Sequence, residues 1–173
     1  MRALLVIDVQ KGLLEQGAFH QEKARIQALI ETFKQKEEPV IFMRHTNAIE
    51  SSPLAAGSDG AEIDPELAEY ADYTLEKHTP SSFYNTTLDS LLRSYLVDHV
   101  VVTGFNTEFC CQFTAIAAYD RGYKVTFIEN ATATVNDENN YEMPGLDIRD
   151  FVGTVLHWSN VIEVLDFEEY MEG

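Results

Sequence analysis

Two cysteines stand side by side at positions 110 and 111. They follow Val100-Val101-Val102, a β-branched run that reads as a buried strand broken at Gly104. Thr107 reads as a helix N-cap with Glu108 in the first turn, where a negative charge suits the helix dipole. Phe109, Phe113, Ile116 and Ala117 recur at helical spacing, and Arg121-Gly122 is a stop signal. Cys110 therefore falls in the first helical turn, beside unpaired backbone N–H groups. Such a position lowers a thiol pKa from its usual value of about 8.5, and the same N–H groups can stabilise an oxyanion. Adjacent helical residues point about 100° apart, so only one of the two thiols faces the turn. The spacing leaves open which one, and as residue types both also read as small buried hydrophobes.

A carboxylate and an amine occupy comparable places. Asp8 ends the apolar run Ala3 to Ile7, and open α/β sheets put their chemistry at the carboxyl ends of buried strands. Lys77 lies just beyond a shorter run, Tyr73 to Glu76. His45 follows the run Val40 to Met43 and could bind substrate or metal. Taken singly, Asp8 reads as well as a turn cap, His45 as a hydrogen-bonded strand end and Lys77 as a solvated charge.

These side chains need a scaffold, and the hydrophobic pattern supplies one. Strands are expected at Ala3–Ile7, Val40–Met43, Tyr73–Glu76, Val100–Val102, Tyr123–Ile128 and Val161–Leu165. Helices are expected over Gln21–Glu37, Leu88–Tyr95 (capped by Thr86 or Thr87), the Cys110 segment and Ile148–His157, with a short turn at Glu66–Tyr70. Asn47–Pro65 and Val135–Gly145 read as loops, and Asp166–Gly173 as a solvated acidic tail. Strands alternating with helices imply a mainly parallel six-stranded sheet between helix layers, in the order 3-2-1-4-5-6. The crevice then lies between the strands that end near Asp8 and near the cysteines. Lys77 would be brought in from the side by the loop after the third strand.

Composition narrows the function. The 173 residues suit a single domain spanning 1–173 with a real core. With 12 Lys and Arg against 29 Asp and Glu, the net charge is −17, which repels nucleic acid and anionic membranes. No segment looks like a signal peptide or membrane span, and two adjacent cysteines imply no disulfide framework, so a reduced cytoplasmic setting is expected. No glycine-rich phosphate loop follows the first strand, which argues against a nucleotide binder.

Three segments together resemble the isochorismatase-like cysteine hydrolases, the superfamily of nicotinamidases and N-carbamoylsarcosine amidase. They are Leu5-Val6-Ile7-Asp8-Val9-Gln10, then Glu76-Lys77 with Ser82-Phe83-Tyr84-Asn85-Thr86-Thr87-Leu88, then Gly104-Phe105-Asn106-Thr107-Glu108-Phe109-Cys110. The third continues through Thr114-Ala115, Ala118 and Gly122-Tyr123-Lys124-Val125 and is the most specific; the similarity runs from Ala3 to about Val164. The resemblance implies an Asp8–Lys77–Cys110 triad and selects Cys110 over Cys111. It also implies a cis peptide at Phe105–Asn106 and an oxyanion hole from the N–H groups of Asn106 and Cys110. Substrate-pocket positions carried over are Gln10, Leu13, Phe83, Tyr84 and Tyr119. A homo-oligomer acting on a small molecule is implied, with no cofactor.

Departures from the family pattern refine this. His45-Thr46-Asn47-Ala48-Ile49-Glu50-Ser51 has no second histidine where nicotinamidases hold a metal, so no metal is expected and nicotinamidase activity is disfavoured. Leu13 replaces the usual aromatic, Glu108 the usual aspartate, and Cys111 a small aliphatic residue. The expected activity is cleavage of a C–N bond in a small amide or carbamoyl compound through a thioester. The alternative is a catalytically silent small-molecule binder or thiol sensor on the same fold.

Overall fold

The computed structural model describes residues 1–173. Six strands, β1 (Arg2–Ile7), β2 (Val40–His45), β3 (Tyr73–Lys77), β4 (His99–Phe105), β5 (Lys124–Ala133) and β6 (Glu163–Leu165), form one sheet in the order β3-β2-β1-β4-β5-β6. Every neighbouring pair is parallel. Seven α-helices accompany them: α1 (Lys11–Leu14), α2 (His20–Gln35), α3 (Pro65–Ala68), α4 (Leu88–Ser94), α5 (Gln112–Asp120), α6 (Ile148–Trp158) and α7 (Phe167–Glu172).

β1 is buried on both faces, and its side chains alternate between two cores. Ala3, Leu5 and Ile7 join a core with Leu88 and Leu92 of α4, Ala115 and Ala118 of α5, and Val152 and Leu156 of α6. Leu4 and Val6 join the other, with Ile26, Leu29, Ile30 and Phe33 of α2. Helices thus cover both faces. The chain winds outward from β1 to β3, crosses to β4 and winds outward again, which puts the topological switch between β1 and β4. No helix is long and apolar enough to cross a membrane.

Four local expectations need correction. Gly104 does not end β4: the strand continues to Phe105, pairing Gly104 with Ile7, while its register against β5 shifts between Val102 and Gly104. Gly104 has φ of +117°, and a Cβ there would collide with the Ile7 carbonyl, so the sequence break signal marks a close approach of two strands. β5 runs past its expected end at Ile128 to Ala133, because Thr132 and Ala133 pair with β4 beyond that shift. Thr107 is not the N-cap; Asn106 is, and a π-helical turn over Thr107–Cys111 precedes α5. The Thr107 hydroxyl instead donates to Thr132 Oγ1, 2.9 Å away. Finally, the acidic tail is helical. Asp166 and Glu169 form a capping box, and Phe167 and Tyr170 of α7 pack on the α2-side core.

Candidate active site

The carboxyl ends of β1, β2, β3 and β4 converge on one buried cluster. Register explains the approach: His45 and Lys77 are paired neighbours at the ends of β2 and β3, and Ile7, just before Asp8, is level with Met43 and Gly104. β3 lies two strand spacings from β1, about 9–10 Å, a gap that a long lysine side chain can help close. Lys77 is itself the last residue of β3, so it reaches the site from the strand and not from the loop beyond it.

Lys77 Nζ lies 2.8 Å from Asp8 Oδ2 and 3.1 Å from Cys110 Sγ, and all three residues are buried. Two further acceptors complete its surroundings, the Thr79 carbonyl at 3.2 Å and His45 Nδ1 at 3.1 Å. An ammonium has three hydrogens, so four contacts compete for them. Burial works to lower the Lys77 pKa, but the Asp8 carboxylate first, and the Cys110 sulfur beside it, outweigh that and hold the pKa above its ordinary value. The amine is therefore an ammonium. Burial and then the Lys77 charge lower the His45 pKa, so its imidazole is neutral and its Nδ1 accepts.

The thiol departs from expectation. Burial first, and then the Asp8 carboxylate, push Cys110 up to about 12, and the opposing charge of Lys77 does not compensate. At neutral pH the resting group is a thiol, and a base must remove its proton. Asp8 Oδ1 is buried and has no hydrogen-bond partner, which leaves an acceptor open in the cluster. Asp8 is held in the left-handed region, φ 51°, a conformation costly for most non-glycine residues and more accessible to Asp. Cys111 is fully buried in the α4–α6-side core, and burial pushes its pKa well up.

The supporting contacts account for other residues of the three segments. The peptide between Phe105 and Asn106 is cis. Ser82 and Thr114 are both buried; Ser82 N–H donates to Thr114 Oγ1 (3.0 Å), which donates to Ser82 Oγ (2.9 Å), fastening the segment after Lys77 to α5. Glu108 Oε1 accepts from Thr134 Oγ1 (2.8 Å), Asn136 Nδ2 (2.7 Å) and Tyr141 OH (3.0 Å), holding the loop after β5 against the nucleophile turn.

The five expected pocket positions have different surroundings. Gln10 is buried with its amide consumed: Nε2 donates to the carbonyls of His45 (2.8 Å) and Ala61 (2.7 Å), and Oε1 accepts from His45 N–H (2.9 Å). It fixes the His45 backbone and the loop after β2, and keeps no donor for a ligand. Leu13 belongs to the α2-side core. Phe83 is buried on the other side, stacked on Tyr123 with centroids 6.1 Å apart. Tyr119 is exposed near the end of α5. Tyr84 is exposed. Conversely, the contact of His45 with Lys77 escaped the sequence reading, because it depends on β2–β3 register.

Asp8, His45 and Cys110 offer carboxylate, imidazole and sulfur atoms all within 4.8 Å of one another, the one combination here resembling a metal site. Lys77 Nζ makes close contact with all three residues, and a divalent cation does not fit beside that ammonium.

Residues 2–159 match the isochorismatase domain model. The chain belongs to the isochorismatase family. Among its isochorismatase-family relatives, Nicotinamidase 3 of Arabidopsis thaliana is 30% identical over 150 residues, covering 79% of this chain and 75% of the relative. The ureidoacrylate amidohydrolase RutB of Enterobacter sp. (strain 638) is 32% identical over 121 residues, 69% of this chain and 53% of the relative. The solved structure of a cysteine hydrolase from Pseudomonas syringae pv. phaseolicola 1448A superposes with a TM-score of 0.85 at 25% identity, covering 99% of this chain and 91% of that one.

Proposed function

We propose that this isochorismatase-family hydrolase cleaves a C–N bond in a small amide or carbamoyl compound, using Cys110 as nucleophile, Asp8 as proton carrier and Lys77 as fixed positive charge. The observation that carries this reading is the buried Lys77 ammonium within hydrogen-bond reach of both Asp8 and Cys110. Asp8 takes the thiol proton as the sulfur attacks the carbonyl carbon. The N–H groups of Asn106 and Cys110 receive the developing oxyanion. Asp8 then returns the proton to the leaving amine, and a thioester remains. Water, deprotonated by Asp8, attacks the thioester and frees the acid and the thiol. Lys77 offsets the negative charge that passes between sulfur and carboxylate at each step, and Gln10 and His45 hold its surroundings.

The amidohydrolase and nicotinamidase names of the relatives support amide chemistry. The raised Cys110 pKa argues against the thiol-sensor alternative, since a sensor depends on thiolate at neutral pH. The 173 residues act as one domain, and two free thiols suit a reducing cytosol. The test is ammonia release across small amides, carbamoyl compounds and nicotinamide. Turnover that disappears in Cys110→Ala is expected; turnover that survives it, or none with any substrate, rejects the proposal.

A further inference from the structure

We propose that His45 is a positioning residue for the reaction: its neutral imidazole holds the Lys77 ammonium toward Asp8 and Cys110 without cancelling the ammonium's charge, and its protonation releases that hold. The inference rests on the hydrolase reading above. It starts from register. His45 and Lys77 are partners across β2 and β3, and paired residues of a parallel sheet send their side chains to the same face. One amide fixes the His45 backbone on both sides: Gln10 Nε2 donates to its carbonyl at 2.8 Å, and its N–H donates to Gln10 Oε1 at 2.9 Å. Thr46 N–H then donates to the Lys77 carbonyl at 3.0 Å, closing the ladder just past the pair. These backbone bonds set the imidazole beside the amine, with Nδ1 3.1 Å from Nζ.

Two of the ammonium's hydrogens belong to the reacting groups, Asp8 Oδ2 at 2.8 Å and Cys110 Sγ at 3.1 Å. The third falls on the side where His45 Nδ1 and the Thr79 carbonyl, at 3.2 Å, both accept. Neither acceptor is charged. A carboxylate in that place would hold Nζ as firmly, but it would offset the positive charge that Asp8 and the sulfur rely on. The imidazole differs from a carbonyl in one respect, that it titrates. Burial first, then the Lys77 charge, keep it neutral to below the ordinary imidazole value of about 6.5. The groups facing it are Lys77 from β3, Asp8 from the end of β1, and His78 and the Thr79 carbonyl from the segment after β3; Lys77 and His78 oppose its protonation, Asp8 and Thr79 favour it. Cys110, a thiol in this range, adds no charge. Protonation turns Nδ1 from acceptor to donor and sets a second cation beside the first. The ammonium then loses the contact that holds it, and turnover falls with the titration of His45. Asp8 must also be ionised to act as base, so the test has to separate the two residues.

His45→Asn separates them, because Asn Oδ1 stands as many bonds from the backbone as imidazole Nδ1, accepts a hydrogen bond and does not titrate. The probe is the amide of the panel above that is turned over fastest. His45→Leu, which has no acceptor, should lower kcat on the order of 10–100-fold, the effect of one hydrogen bond to a charged group, with KM little changed. His45→Asn should recover most of that loss at about pH 8 and carry activity to lower pH than the wild type, whose acid limb lies below about 6.5. Nitrogen-15 spectra of the histidine-labelled wild type should show the His45 ring as the Nε2–H tautomer, assigned by the signals that either variant lacks. Lys77→Met should raise the pH at which that ring titrates. This second measurement needs no substrate, and it stands if His45→Leu fails to fold. His45→Asn as slow as His45→Leu, His45→Leu as fast as the wild type, an acid limb unmoved in His45→Asn, or an Nδ1–H tautomer overturns the proposal. Turnover that survives Cys110→Ala, or none with any amide, instead removes the hydrolase reading and this role with it, an outcome seen without any change at His45.

Discussion

Cys110, Asp8 and Lys77 are interdependent in charge, and their variants should show it. Asp8→Asn and Lys77→Met each leave the other buried charge without its partner, a loss of about 3–5 kcal/mol in stability. The double variant should lose clearly less than the sum, as urea denaturation will show. In the hydrolase assay each single variant should lower kcat by about 10²–10⁴-fold. The pH dependence follows from the same residues. Cys110 is raised to about 12 in the fold, so above the unfolded thiol value the unfolded chain releases a proton that the folded chain keeps. Stability therefore falls as pH rises from about 9 toward about 12. Lys77, also raised, adds stability that is complete below the unfolded lysine value of about 10.4 and is lost as pH climbs through the folded value. Urea midpoints measured against pH should fall from about pH 9, and Cys110→Ala should remove the first part of that fall. Inactivation by iodoacetamide should still be accelerating at about pH 9, whereas a thiol of lowered pKa would have reached a plateau.

The elements that deliver these residues depend on close approaches that tolerate little change. At Gly104, alanine meets both a positive φ and the Ile7 carbonyl. Gly104→Ala should cost more than about 2 kcal/mol and disturb Asp8, the residue after Ile7, so activity should fall even in molecules that remain folded. A thermal melt paired with kcat in the folded fraction checks this. The helix α7 is a gentler case. Its capping box joins Asp166 and Glu169, Glu168 accepts from Asn130 Nδ2 at 2.8 Å, and Tyr170 OH accepts from Arg2 at 3.0 Å. Removing the cap in Asp166→Ala should cost about 0.5–2 kcal/mol and leave turnover unchanged, because α7 lies on the sheet face opposite α5. Charge alone made this segment look like a tail. Its two docking aromatics, Phe167 and Tyr170, sit among acids and reveal their purpose only once β5 and α2 lie beneath them.

For the whole molecule, a net charge of −17 means that compactness is opposed by self-repulsion. Raising salt from about 0.01 to about 0.1 M shortens the screening length from about 30 to about 10 Å. The melting temperature should rise over that range, and a fall would show that surface ion pairs outweigh the repulsion.

Much of this was legible in the chain itself. Continuous apolar runs ending in Asp8 and His45, alternating with amphipathic segments, determined the parallel sheet and its order, because hydrophobic period and crossover handedness are local rules. The quoted segments pointed to Asp8, Lys77 and Cys110 as the residues to examine. Tertiary structure alone decided the rest. Whether Gln10, Leu13 and Phe83 face a ligand or the core depends on what packs against them, and here backbone carbonyls and apolar clusters claim all three. The protonation of Cys110 was equally beyond the sequence: a helix start favours thiolate, but burial beside a carboxylate does the opposite, and only folding brings that carboxylate within reach.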